Sequence, residues 1–123
     1  MERTRVLAMC FICFCTVMFG ASLSTYGADA EEGKKLYGQF CASCHGQSGK
    51  GDGAAAAALN PKPRDHTDKA YMSKLTDDDM LNVIKNGGVS IGKSPLMPPW
   101  GASLKDEQIK NIIAYVRMLC CQQ

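Results

Sequence analysis

Apolar and polar positions recur at helical spacing in three stretches of the chain. The clearest lies near the C-terminus, where Ile109, Ile112, Ile113, Val116 and Leu119 follow the i, i+3, i+4, i+7 rule. They predict a helix from about Leu104 to Leu119, with Ser103 and Asp106 at cap spacing. A second stripe is formed by Met80, Leu81 and Ile84. Thr76 stands before it as an N-cap with Asp79 three positions on, Asp77–Asp79 suit the positive end of the helix, and Gly87-Gly88 ends it. The first stripe is Gly33, Leu36, Tyr37 and Phe40, giving a helix over Glu31–Phe40 with Glu31 and Glu32 at its start. Gly33 lowers helix propensity, which points to the close approach of another helix.

The intervening segments read as loops. Gly46–Gly53 is glycine-rich and polar, Ala54–Ala58 suits a short helical turn, and Pro61 and Pro63 impose an extended path. Val89–Gly101 is rich in glycine and proline. No alternating run of strand length occurs, so the expected class is all-α, with three main helices.

The N-terminus has a different pattern. Arg3 and Arg5 precede an apolar run, Val6–Phe19, broken only by Thr16, and Ala28-Asp29-Ala30 fits a small-x-small cleavage site. That is the layout of a signal peptide over residues 1–30, leaving a domain of residues 31–123. The run is short against the roughly 20 residues of a membrane span. Reading on to Leu23 lengthens it, and an uncleaved anchor is the alternative. Cleavage removes two basic and two acidic residues, so the net charge stays at +2. A balance this close to neutral argues against a nucleic-acid partner.

Cys41-Ala42-Ser43-Cys44-His45 carries the chemistry. In a C-x-x-C-H run two thiols three positions apart can each add to a vinyl group of one porphyrin, and the histidine can take an axial position on the iron. A zinc site needs about four ligands, and no second cluster follows at suitable spacing. A redox dithiol belongs in a βαβ context, which is missing. Cys10 and Cys13 repeat the C-x-x-C spacing, but Phe14 follows in place of histidine, so one covalent haem c with its iron is expected. The Gly46–Gly53 loop lacks the lysine–serine/threonine ending of a phosphate loop. Haem would also supply core to a chain too short to bury much apolar surface alone.

The second axial position is less direct. Met72, Met80, Met97, Met118 and His66 are the candidates, and an open iron is a further alternative. Met80 and Met118 fall inside predicted helices, where methionine usually packs in a core. Met97 lies between Pro95-Leu96 and Pro98-Pro99, in a loop with little freedom to lose on binding iron. It is the leading candidate.

Gly33-Lys34-Lys35-Leu36-Tyr37, the Cys41–Gly46 run, Gly49–Gly53, Leu59–Asp65, Leu96–Gly101 and Ile112–Arg117 together resemble class I c-type cytochromes. The likeness is greatest to short bacterial ones of the cbb3-oxidase cytochrome-subunit type. It implies a small cytochrome c fold around one haem, with His45 and Met97 as axial ligands. It further implies that the first and last helices cross beside the haem, with Gly33 and Phe40 near Tyr115. The same resemblance has the Pro61 carbonyl receive the His45 ring N–H, and places Arg64 and Trp100 among the cofactor-binding residues. Two positions depart from the family. His66 stands where an aromatic such as phenylalanine is expected, and reads as a partly exposed residue. Cys120 and Cys121, near the C-terminus, are unusual for the family, as a reduced pair, a vicinal disulfide or a link to another chain.

The function expected is that of a periplasmic electron-transfer protein, monomeric, meeting redox protein partners transiently, with no membrane span in the mature chain and no enzymatic role. A haem subunit bound to a larger dehydrogenase or oxidase is the alternative. An open-site enzyme or gas sensor is a third reading, and would need a vacant position on the iron.

Overall fold

A computed structural model describes residues 27–121. The apolar run and most of the expected signal segment lie outside the described residues.

Helix α1 spans Ala30–Phe40, one residue longer than the periodicity predicts. The extra residue follows from Asp29, whose carboxylate accepts the N–H groups of Glu31 and Glu32 at 2.9 and 3.1 Å. The Asp29 N–H in turn donates to Asn111 Oδ1 at 2.8 Å. Helix α2 follows at once over Ala42–His45, too short to leave a periodic signature. A 3₁₀ turn at Ala56–Ala58 stands within the segment predicted to turn. Helix α3, Lys69–Met72, is capped by the Asp68 side chain on the Tyr71 N–H. Helix α4, Asp77–Asn86, carries the expected capping box, with Thr76 and Asp79 each bonded to the other's backbone N–H. It ends at Gly87, where φ is 81°. The predicted loop beyond contains a 3₁₀ turn at Gly88–Ile91.

Helix α5 covers Asp106–Cys121 and starts later than predicted. Ser103 and Asp106 are therefore not its cap. Ser103 and Leu104 both donate their N–H to the Trp100 carbonyl, and this tight turn drives Leu104 into the core. The helix begins only after that, where Gln108 Oε1 accepts the Lys105 N–H at 3.0 Å.

The main contact is the crossing of α1 and α5. Leu36 and Tyr37 from α1 pack against Ile109, Ile112, Ile113 and Val116 from α5, all buried. Gly33 makes the crossing tight, because a Cβ there would collide with the Asn111 carbonyl. The aromatic partners differ from those expected: Tyr115 stacks edge-on against Tyr37, whereas Phe40 turns to Trp100. Tyr37 is buried in the α1–α5 crossing, while Phe40, on the same face one turn further on, is half-buried at the helix end, beyond the main crossing.

Arg117 of α5 fastens α3 and α4 to the crossing. It donates to the carbonyls of Met72 and Leu75 at 2.9 and 2.6 Å and to Asp77 Oδ1. Met118, expected in the core, is exposed instead. Cys120 and Cys121 are disulfide-bonded to each other. Among the described residues there is no strand, and no helix is long and apolar enough to cross a membrane. Among the described residues the fold is all-α, with α1, α4 and α5 as its main helices.

Candidate haem site

The end of α2 is shaped by the glycine-rich loop after it. Gly51 and Gly53 donate their N–H groups to the carbonyls of His45 and Cys44 at 2.8 and 3.1 Å. Ala55 does the same for Ser43 at 2.9 Å. These carbonyls would otherwise be unsatisfied at a helix C-terminus. A side chain at Gly53 would collide with the Ser43 carbonyl, so glycine is required for the loop to lie against α2. The polarity of this loop thus serves to hold Cys44 and His45 in place.

Beside α2 lies a cleft of about 280 Å³, mostly apolar. Cys41, Cys44, His45, Pro61, Arg64, Met97 and Trp100 all line it. Every residue expected to bind the cofactor therefore faces one space. Of the other methionines, Met72 and Met80 also line the cleft and are buried, and Met118 does not.

Cys41 and Cys44 are free thiols. Burial, and then the neighbouring Cys44, push the Cys41 thiol up to about 12, so it is held as neutral SH. His45 Nδ1 is 2.9 Å from the Arg64 carbonyl, leaving Nε2 as the ring nitrogen without that partner. Burial lowers the His45 pKa, and the bond to Arg64 partly offsets it, so the ring is neutral. A neutral imidazole with one nitrogen fixed is the form that ligates metal.

The acceptor of His45 is Arg64, not Pro61 as the resemblance implied. The cause is the path of the 63–66 segment. His66 donates its N–H to the Gly49 carbonyl at 2.6 Å, and that bond lays Arg64 beside the imidazole. Pro61 lies in the cleft wall instead. The Arg64 guanidinium sits 3.7 Å over the Tyr71 ring.

Two thiols and a neutral imidazole on one helix, facing an apolar cleft that thioethers also line, suit covalent haem. Among the described residues no three His, Cys, Asp or Glu side chains converge as a site for a bare metal ion. Residues 28–116 match the family model described as cytochrome c oxidase, cbb3-type, subunit III. The chain belongs to that family. It is a class I c-type cytochrome, an electron-transfer protein whose cofactor is covalently bound haem c with its iron.

The cbb3-type cytochrome c oxidase subunit CcoP of Azospirillum brasilense is 30% identical over 78% of this chain. The match covers 30% of that subunit's length. Cytochrome c-554(547) of Halothiobacillus neapolitanus is 33% identical over 74% of this chain and 97% of its own length. The solved structure of the KustC0563 c-type cytochrome superposes with a TM-score of 0.60 at 27% identity. That match spans 72% of this chain and 96% of the other.

One side chain of this cytochrome has a placement at the site that pattern alone does not disclose. His66 is half-buried, as its reading as a partly exposed residue expects, but its surroundings are specific. Its ring stacks on His45 with centroids 4.2 Å apart and planes 16° apart. Its Nδ1 is 3.1 Å from the Tyr37 hydroxyl. Burial first, then the neighbouring His45, bring the His66 pKa down to about 3. Burial likewise raises the Tyr37 pKa. The signal in the sequence was the replacement of an expected aromatic by another flat ring.

Proposed function

We propose that this cytochrome is an exported, periplasmic electron carrier with one haem, attached at Cys41 and Cys44 and ligated by His45 and Met97. The observation that carries the reading is the donor set around one cleft: two free thiols, a neutral imidazole and the Met97 thioether. Bound haem supplies a one-electron couple between Fe(III) and Fe(II). The chain supplies the rest. The two thiols tether the porphyrin, the Arg64 carbonyl fixes the His45 ring, and a methionine ligand raises the potential. Pro61, Trp100 and the other apolar lining residues would face the bound porphyrin. Two protein ligands leave no coordination position for a substrate, so the protein is read as a carrier and not an enzyme.

Residues 1–30 act as a cleaved signal peptide and residues 31–123 form the mature domain, with no membrane span; cleavage there removes Asp29 and Ala30, so the mature α1 starts at Glu31 without the Asp29 cap. It works as a monomer through transient contacts with redox proteins, the sort that bury under ~1,200 Å². The near-complete match to cytochrome c-554(547) supports a stand-alone domain of this size. A second reading, a haem subunit bound to a larger oxidase or dehydrogenase, is favoured by the match to CcoP. Purification of the native complex separates them: a carrier elutes alone, a subunit with its partner.

The direct test uses the exported protein. The wild type should retain one haem per chain in denaturant and, when reduced, should not bind carbon monoxide. The Cys41→Ala/Cys44→Ala variant should lose covalent haem and most folded yield. Carbon monoxide binding by the wild type would mean an open iron and favour the enzyme or sensor reading.

A further inference from the structure

His66 occupies a place that neither haem attachment nor axial ligation explains. Its ring lies flat on His45, so it is on the His45 side of any porphyrin bound there. That position excludes it as the ligand on the other face. Yet it is fixed firmly. Its N–H bonds to the Gly49 carbonyl, its Nδ1 pairs with the Tyr37 hydroxyl, and the edge of the Tyr37 ring packs on it at 5.8 Å. Tyr37 is almost fully buried, in the α1–α5 crossing, with Tyr115 against its other side.

Two constraints therefore act on the His45 ring from one short segment. The Arg64 carbonyl holds Nδ1 at 2.9 Å, and the His66 ring lies over one face of the imidazole. A hydrogen bond alone leaves an imidazole free to tilt about the bond. A parallel ring at stacking distance removes that freedom. Groups that orient a ligating histidine and exclude solvent from it also set the electronic properties of the metal.

We propose that His66, anchored by Tyr37, is a positioning residue that fixes the plane of the His45 imidazole and thereby tunes the haem. The inference rests on the reading of His45 as an axial ligand. The ring of His45 determines how unpaired spin is distributed over the porphyrin of the oxidised protein, so its orientation can be read by proton NMR. Loss of the covering ring also admits water, which favours Fe(III) and lowers the potential.

The experiment compares the wild-type holoprotein with His66→Ala, His66→Phe, Tyr37→Phe and His45→Ala. Two quantities are read: the pattern of hyperfine-shifted haem methyl resonances, and the equilibrium with a mediator of fixed potential. His66→Ala should rearrange the methyl pattern and shift the equilibrium towards the oxidised form by about threefold or more. His66→Phe keeps a flat ring and should restore both in large part. Tyr37→Phe should give a smaller change in the same direction, and it carries the test should His66→Ala fail to fold. Wild-type pattern and equilibrium in both His66→Ala and Tyr37→Phe would overturn the proposal. So would a change in His66→Ala that His66→Phe fails to restore. Should His45→Ala keep the wild-type low-spin spectrum, the ligand assignment itself would fall, which separates that failure from a failure of the role of His66.

Discussion

Gly33 lies directly against the backbone carbonyl of Asn111, and this contact sets how closely α1 and α5 cross. Substitution by alanine has two opposed effects. Helix propensity improves by about 1 kcal/mol. The added Cβ, however, meets rigid backbone and not a movable side chain, so the helices must separate along the length of the core. Overpacking of this kind costs about 1–3 kcal/mol and should win, with valine worse than alanine. Denaturant unfolding of holoprotein Gly33→Ala should show a lower midpoint with an unchanged slope. An unchanged midpoint would mean that the crossing is looser than described.

Arg117 gives a second stability prediction, because its partners differ in exposure. Its guanidinium satisfies the carbonyls of Met72 and Leu75, which are part-buried, while the Asp77 side chain is 71% exposed. Arg117→Met should therefore destabilise by about 2–3 kcal/mol, mainly through the orphaned carbonyls. Asp77→Asn should cost under about 1 kcal/mol, as expected of an exposed ion pair. Equal losses in the two variants would show the ion pair, and not the carbonyl contacts, to be the tie.

Much of this architecture was legible in the chain, and the reasons are local. The capping box at Thr76 and Asp79 and the stop at Gly87 depend on neighbours in sequence, so α4 could be read closely. The C-x-x-C-H run names its own chemistry, and Gly33 announced a close crossing. What escaped depended on tertiary contact. The start of α5 is set by burial of Leu104, and the partner of His45 by the bond between His66 and Gly49. Met118 shared the helical context of Met80, but lies on the face of its helix that no other element covers closely enough to bury it. Helices α2 and α3, four residues each, are too short for any period to show.

The capping box predicts an acid dependence. Hydrogen bonds from the Thr76 hydroxyl and then its backbone N–H hold the Asp79 carboxyl below the usual carboxylate range. A carboxylate with a depressed folded pKa contributes stability that is complete above its unfolded pKa and is lost as pH falls through the folded value. Thr76→Ala should lower stability by about 1 kcal/mol at neutral pH. Its difference from wild type should shrink at acid pH. A difference that grew on acidification would contradict the cap.

Partner recognition should rely on mixed contacts. Lys62 and Lys93 line the cleft, although the Lys62 ammonium is already bonded to the Ala56 carbonyl at 2.9 Å. Lys50 and Lys105 lie elsewhere on the surface, and Leu96 adds an exposed apolar side chain at the cleft. With a net charge of only +2 before the haem propionates, no strong field steers encounter. The rate of reduction by a redox partner should fall only moderately with ionic strength. A fall of more than ~100-fold between low and physiological salt would indicate dominant charge steering.

The ligand assignment has one most direct measurement: the optical spectrum of the oxidised exported protein and its methionine variants. Ligation of Fe(III) by methionine sulfur gives a weak far-red band that open or bis-histidine iron lacks. Wild type, Met72→Ala and Met80→Ala should all show it, although Met72 and Met80 also line the cleft. Met97→Ala should lose it, bind carbon monoxide when reduced and have a lower potential. Survival of the band in Met97→Ala, with its loss in Met72→Ala or Met80→Ala, would contradict the account.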